Sequence, residues 1–348
     1  MSLNQYKELY DSSMKAVILK KYGSADNFEW AEIPLPAVSK GQIRIQTKAI
    51  SFNPVDYQIR KGLSESKMVT SNILGRDLSG IVDEVHSDVN EFKKGDEVYC
   101  YACDLGSSGS YAEYVTVPAE IVALKPASLS HEQAAAIPVA GITAAITLSK
   151  TRADKSKSVF VAGGAGGVGS FVIMLAKWLK IQNLFTTAGN EISRSYLINN
   201  FQLNPDQIIN YNQEDFVKLT LERNGGNFDI AIDLVGGKML AACCELLCVD
   251  GNLASVTESP TPGDFDILFH KNASFHSVGA NAYSLANKTQ WKIYQQVLNH
   301  LSKLIDKKLV TLPPVNIVGE FSVTSVRKAH QLLEAGLVQG KLVMSCHH

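Results

Sequence analysis

The spacing of hydrophobic positions changes partway along the chain. Between about Met14 and Ala123, short β-rich runs at 16–19, 42–47, 80–85, 96–99 and 111–117 are separated by Pro34, Pro36, Gly41, Pro54, Gly75, Gly95 and a Gly/Ser cluster at 106–110. This pattern predicts a β-rich lobe. Around residues 131–138 the apolar spacing becomes helical, and 141–148 continues it. From Val159 onward, strand-like runs at 183–187, 207–211, 228–233, 251–256 and 274–278 each follow a segment of helical spacing. Such alternation predicts an α/β domain with a parallel, doubly wound sheet. Beyond it the pattern predicts an amphipathic helix near 288–309, a strand near Phe321, a helix near 326–335 and a last strand at 340–344. This tail is expected to fold back on the first lobe. No internal repeat or low-complexity tract interrupts the pattern.

The most informative stretch is Val159-Phe-Val-Ala-Gly-Gly-Ala-Gly-Gly-Val-Gly169 and the apolar run after it. A β-branched run leads into Gly164-x-Gly166-x-x-Gly169, and helical spacing follows. Glycines let backbone N–H groups approach a pyrophosphate, and the helix start adds roughly half a positive charge. A strand–turn–helix frame makes this much stronger than the bare glycine pattern. Residues 158–176 carry no charge and approach the length of a membrane span, but the glycine cluster divides them into strand and helix.

Composition narrows the function classes. The chain has 348 residues, 45% of them hydrophobic, enough for about two domains. Its 33 basic and 34 acidic side chains leave a net charge of -1, so no global field attracts nucleic acid or an anionic membrane. The six cysteines show no regular disulfide spacing, and the first ten residues lack a basic segment followed by an apolar core. A cytoplasmic, reduced protein is expected.

The second strand bears on which nucleotide is held. NAD-specific sheets place a carboxylate near its end, about 20 residues past the glycines. Here Phe185-Thr-Thr-Ala-Gly-Asn190 occupies that place, with Glu191 and Arg194 just beyond. A carboxylate about 4 Å from a 2′-phosphate would cost on the order of 1–4 kcal/mol. A charge-assisted bond from Arg194 would contribute about 1.5–3 kcal/mol. The signs favour NADPH, with Arg194 as a solvated helix residue the plainer reading.

Further motifs follow in order: Ser51-Phe-Asn-Pro-Val-Asp-Tyr-Gln-Ile-Arg-Lys-Gly62, Gly75-Arg-Asp-Leu-Ser-Gly80, Lys94-Gly-Asp-Glu-Val98, Gly109-Ser-Tyr-Ala-Glu-Tyr-Val115 and Ala140-Gly-Ile-Thr-Ala144. Ala165-Gly-Gly-Val-Gly169, Ile209-Asn-Tyr211, Asp233-Leu-Val-Gly-Gly237 and Gly340-Lys-Leu-Val343 complete the set. Together they resemble the zinc-free quinone oxidoreductase (zeta-crystallin-like) branch of the medium-chain dehydrogenase/reductase superfamily over nearly the full length. The resemblance implies a GroES-like catalytic domain at 1–133 and 284–348, a Rossmann cofactor domain at 134–283, and a homodimer.

It also implies roles. Asn53 and Tyr57 match positions lining the nicotinamide and substrate cleft, where an amide orients the carboxamide and a phenol donates to a developing oxyanion. Thr143 matches a hydroxyl near the nicotinamide, Tyr211 a residue near the adenosine phosphate, and Lys341 a lysine that reaches the cofactor. Gly164, Ala165, Gly166, Gly167, Val168 and Gly169, with Thr187, Asn190, Arg194 and Val235, complete the expected cofactor contacts. The plainer alternatives are that Asn53-Pro54 is an ordinary turn pair and that Tyr57 only packs.

Zinc alcohol dehydrogenases of the superfamily carry a Cys ligand near position 53 and Gly-His-Glu at the later motif. This chain has Asn53 and Gly75-Arg76-Asp77, and arginine cannot ligate zinc. Cys100-x-x-Cys103 supplies only half of a structural four-cysteine site, with Gly106 and Tyr114 where later ligands would fall. No metal is expected. The simplest remaining chemistry is hydride delivery from NADPH to a quinone or an α,β-unsaturated carbonyl. A 2-alkenal or enone reductase, an alcohol dehydrogenase-like enzyme and a dinucleotide-binding protein with vestigial turnover are the competing readings.

Overall fold

The computed structural model describes residues 13–102 and 108–347, so Cys103 and Gly106 lie outside the described residues. The chain divides into two compact units. One comprises the described residues up to Val139 with Asn281–Lys307 and Val315 onward; the other comprises Ala140–Ala280 and Lys308–Pro314.

The first unit is built on the strand Gln42–Ser51, whose alternation buries Ile43 and Ile45 completely. It pairs antiparallel with Asp77–Val85, Tyr114–Pro118 and Lys341–Ser345. Val315–Glu320 extends this sheet beyond Lys341–Ser345, and Glu97–Tyr101 and Val122–Leu124 extend it on the other side. The tail therefore returns to the first lobe: Val343 lies opposite Ser51, and the Phe52 N–H donates to the Leu342 carbonyl over 3.1 Å. The helix Lys288–Asp306 buries Tyr294, Leu298, Leu301, Leu304 and Ile305 at intervals of one helical face. The Tyr99 hydroxyl donates to the Leu298 carbonyl over 2.7 Å, which fastens this helix to the unit.

Two elements escape the hydrophobic pattern. Phe28–Pro34 pairs antiparallel with Ser13–Leu19, but its sequence places Trp30, 45% exposed, on the outer face and so blurs the alternation. Pro54–Arg60 reads as a turn pair in sequence, yet Pro54 opens a helix, where a missing N–H costs nothing. The strand expected near Phe321 ends just before it, at Glu320.

The second unit is a six-stranded parallel sheet in the order Ile208–Asn210, Leu184–Ala188, Val159–Ala162, Phe228–Asp233, Leu247–Ser255, Ser274–Ser277. Numbered from Val159–Ala162, the order is 3-2-1-4-5-6. That is the doubly wound arrangement, with its switch point between the first and fourth strands. Phe160, Phe185 and Phe228 pack ring to ring at centroid distances of 5.5 and 5.6 Å, and Cys243 and Cys244 are buried in the same core. Lys271 closes the end of the helix Lys238–Leu246, its Nζ donating to the carbonyls of Cys244, Glu245 and Leu247. No described helix is long and apolar enough to cross a membrane.

Candidate functional site

In the second unit, the C-terminal ends of the parallel strands carry the glycine turn. Val159–Ala162 stops at Gly163, whose φ of +84° is left-handed. The helix Gly167–Trp178 then begins with Gly166 as its N-cap, and no side chain caps it. The first-turn N–H groups therefore face outward without a side-chain acceptor. A Cβ on Gly164 would lie 2.1 Å from Thr186 Oγ1, and one on Gly169 would lie 2.3 Å from the Gly163 carbonyl oxygen. These two glycines let the turn pack against itself. A Cβ on Gly166 would meet nothing closer than 3.4 Å, so this glycine borders open space. An uncapped helix start beside an open backbone surface fits the pyrophosphate of a dinucleotide.

The other expected cofactor residues take several positions. Ala165, Gly167 and Val168 are half-buried along the turn. Thr187 is buried, and its hydroxyl accepts the Gly163 N–H over 2.9 Å, which holds the turn from beneath. Asn190 caps the helix Glu191–Phe201, its Oδ1 accepting from the Ser193 N–H over 2.9 Å. Arg194, half-buried in that helix, donates to the Ile208 carbonyl over 3.3 Å, while the Glu191 carboxylate accepts from Ser195 Oγ. Tyr211 is 44% exposed and lies against Gly189, and the exposed Val235 borders Gly163. Thr143 is buried in the helix Pro138–Lys150.

In the first unit, the pairing of Lys341–Ser345 with Gln42–Ser51 brings Lys341 to Asn53 and Asp77. All three residues are at most 4% exposed. The Lys341 ammonium donates to Asn53 Oδ1 at 2.5 Å, to the Phe52 carbonyl at 3.1 Å and to Asp77 Oδ2 at 3.2 Å. Asn53 Nδ2 donates to Asp77 Oδ2 at 2.9 Å, and the Val139 N–H donates to Asp77 Oδ1 at 2.9 Å. Burial pushes the Asp77 carboxyl up, and the Lys341 charge opposes that shift. Removing one partner of such a buried pair typically costs about 3–5 kcal/mol. Tyr57, half-buried on Pro54–Arg60, directs no hydroxyl hydrogen bond to any described residue.

A second polar cluster in this unit was not singled out by sequence reasoning. Asp56 is fully buried, its Oδ2 accepting the Asn53 N–H over 2.8 Å while Oδ1 has no partner among the described residues. Burial pushes its carboxyl up to about 7. His330 Nε2 lies 3.0 Å from the Tyr111 hydroxyl, and burial with the nearby Arg60 charge lowers the imidazole to about 3. Arg60 pairs in turn with Glu334, which Lys61 also reaches at 2.8 Å. The one sequence signal was an aspartate at the third position after Asn53, where an acid commonly bonds back to the N–H that opens a helix.

The donor set does not fit zinc. Asn53 and Asp77, at positions the resemblance matches to zinc-ligand motifs, converge on an ammonium, and Arg76 donates to the Tyr101 hydroxyl over 2.5 Å. Among the described residues, no three His, Cys, Asp or Glu side chains gather in a way that could hold a metal ion. Cys100 is fully buried.

Comparison with known proteins agrees with this architecture. Residues 39–127 match the alcohol dehydrogenase GroES-like domain, and residues 203–344 match the zinc-binding dehydrogenase family. The chain is 32% identical to a 2-methylene-furan-3-one reductase of Solanum lycopersicum over 346 residues, covering 96% of this chain and 79% of the relative. It is 30% identical to a chloroplastic NADPH-dependent alkenal/one oxidoreductase of Arabidopsis thaliana, covering 95% and 79%. Among solved structures, the quinone oxidoreductase from Coxiella burnetii superposes with a TM-score of 0.81 at 31% identity, covering 96% of this chain and all of that one, 100%.

The buried acid and imidazole impose opposite pH dependences. Asp56 holds its proton up to about pH 7 when folded but only to the ordinary aspartate value of 3.8 when unfolded, so its contribution to stability falls as pH rises between those values. His330 has a folded value of about 3 against 6.5 unfolded, so stability falls as pH drops through that window. Asp56→Asn removes the first effect alone. Relative to the parent protein it should gain on the order of 3 kcal/mol between about pH 5 and pH 8, at about 1.4 kcal/mol per unit, read from urea unfolding at both pH values. An unchanged difference would show that the carboxyl is not buried in its protonated form.

Proposed function

We propose, from the premise that the chain belongs to the medium-chain dehydrogenase/reductase superfamily, that it is an NADPH-dependent oxidoreductase reducing a quinone or an α,β-unsaturated carbonyl without a metal. The observations carrying this reading are an open, uncapped glycine turn in the second unit and, in the first, an ammonium–amide–carboxylate cluster at positions that the resemblance matches to zinc-ligand motifs. The names of the plant relatives favour alkenals and enones, and that of the Coxiella protein favours quinones. Both acceptors conjugate an oxygen to the carbon that is attacked.

NADPH, when bound, supplies a hydride from its nicotinamide. The backbone N–H groups after Gly166 would hold the pyrophosphate, and Arg194 would meet the 2′-phosphate with the donors left beyond its bond to Ile208. Tyr211 and Val235 flank the adenosine side, and Thr187 and Asn190 keep the turn and the second helix in place. Asn53 and Thr143 orient the nicotinamide end. Tyr57 would donate to the acceptor oxygen on which charge develops, and it or solvent would supply the proton. Little beyond positioning and exclusion of water is needed. A homodimer through Ser274–Ser277 fits an edge strand paired only with Leu247–Ser255 among the described residues. The buried thiols of Cys243, Cys244 and Cys346 fit a reducing cytoplasm.

Gly166→Ala should fold with an unchanged melting temperature yet bind NADPH at least roughly tenfold more weakly by fluorescence titration, because its methyl enters the space for phosphate. Gly169→Ala should instead lose stability, because its Cβ would meet the Gly163 carbonyl oxygen at 2.3 Å. A Gly166→Ala protein with parental affinity would refute the cradle.

Because the second strand ends without a carboxylate, NADPH should bind at least about tenfold tighter than NADH, and Arg194→Gln should erase that preference. Equal affinities in the parent protein would remove the role given to Arg194.

Following NADPH oxidation across quinones, enals, enones and alcohols tests the activity itself. Turnover is expected with the first three and not with alcohols run in reverse. Asn53→Ala should reduce turnover by roughly tenfold or more while weakening NADPH binding less; an unchanged rate would demote it to a turn residue.

A further inference from the structure

The buried cluster fixes more than the position of Asn53. An ammonium has only donors and a carboxylate only acceptors. With Lys341 Nζ 2.5 Å from one end of the amide and Asp77 Oδ2 2.9 Å from the other, the carbonyl must face the lysine and the amino group the aspartate. A flipped amide would set donor against donor and acceptor against acceptor. Nearby groups are committed as well. The three Lys341 protons go to Phe52, Asn53 and Asp77, the Asn53 main-chain N–H goes to Asp56, and Asp77 Oδ1 takes the Val139 N–H. One Nδ2 proton of Asn53 is left over. A positive charge at the carbonyl oxygen and a negative charge at the other N–H both favour the charge-separated form of the amide, and so strengthen that remaining donor.

We propose that Lys341 and Asp77 are positioning residues that lock the Asn53 amide as an obligate hydrogen-bond donor toward the bound ligand. The group it meets is an acceptor oxygen, a carbonyl or the oxyanion formed from it. Lys341 acts through Asn53 rather than by touching the cofactor, and the locked amide presents only its donor to the ligand. This rests on the reductase reading above and narrows it to acceptors that carry a carbonyl oxygen able to take that hydrogen bond.

Two variants test the lock. Lys341→Met removes the cation, and Lys341→Met with Asp77→Asn removes both charges, so no buried carboxylate is left unpaired if the single variant fails to fold. Each is compared in the parent background and in Asn53→Ala. The lock predicts at least a roughly tenfold fall in kcat for enone reduction in the parent, with NADPH affinity within about twofold, and no further fall in Asn53→Ala. Equal falls in both backgrounds would overturn it. So would weaker NADPH binding with kcat at saturation unchanged, since Lys341 would then be a cofactor contact.

A second readout needs no turnover. In protein labelled with 15N-asparagine, the Asn53 side-chain signal is assigned by its loss in Asn53→Ala. The lock predicts two well-separated, slowly exchanging amide protons that shift and exchange faster on removal of Lys341. Ordinary, rapidly exchanging protons in the parent would overturn the lock whether or not the protein reduces enones. Inactivity with a protected amide would overturn only the reductase reading.

Discussion

The ammonium of Lys341, held away from water between an amide and a carboxylate, is the constraint on which the first unit turns. A carboxylate as deeply buried as Asp77 is tolerated only with a charge and hydrogen bonds to compensate it. Here a strand supplies the charge. Lys341 reaches Asn53 because Lys341–Ser345 pairs with Gln42–Ser51, and Asp77 reaches both because Asp77–Val85 pairs on the opposite side of the same strand. Sheet register and the electrostatics of this cluster are therefore one arrangement. A slip of one residue would turn Lys341 to the other face and leave Asp77 uncompensated.

The second unit solves a different problem with backbone alone. Its glycines divide the work, since Gly164 and Gly169 allow the turn to close on Thr186 and Gly163, whereas Gly166 leaves room. Side chains then brace the turn from outside the opening, with Thr187 beneath it and Asn190 capping the adjacent helix. Binding of a charged ligand there needs no cationic side chain at the pyrophosphate, because the helix start provides the field.

Much of this was legible in the sequence, and the reasons differ by element. The parallel sheet could be read because each of its strands is a short apolar run closed by a turn, and Phe228–Asp233 falls where the pattern puts it. Leu247–Ser255 starts earlier than expected because Asp250 and Gly251 interrupt its apolar run. Local pattern could not reveal the Phe28–Pro34 strand, whose outer face mixes Trp30 with Glu32, or the helix opened by Pro54. The glycine turn was legible because its chemistry is written in consecutive residues. The Lys341–Asn53–Asp77 cluster was legible only as three separate matches. Nothing in the local sequence links residues separated by 288 and 264 positions, so the resemblance named Lys341 without the partners that consume its protons. Asp56, Tyr111 and His330 went unremarked for the same reason: burial, not spacing, makes them unusual.

That separation bears on how the chain is made. On the ribosome, Gln42–Ser51 and Asp77–Val85 emerge long before Lys341, which lies 288 residues after Asn53. Until then the Ala49–Ser51 end of that strand lacks its partner on one side, beside a carboxylate lacking its counter-charge. Such an edge invites strangers, and closing so distant a contact is slow. Nascent chains stalled before the final strand should thus be clients for chaperones, and the arrival of one lysine marks the moment at which the fold becomes safe to release.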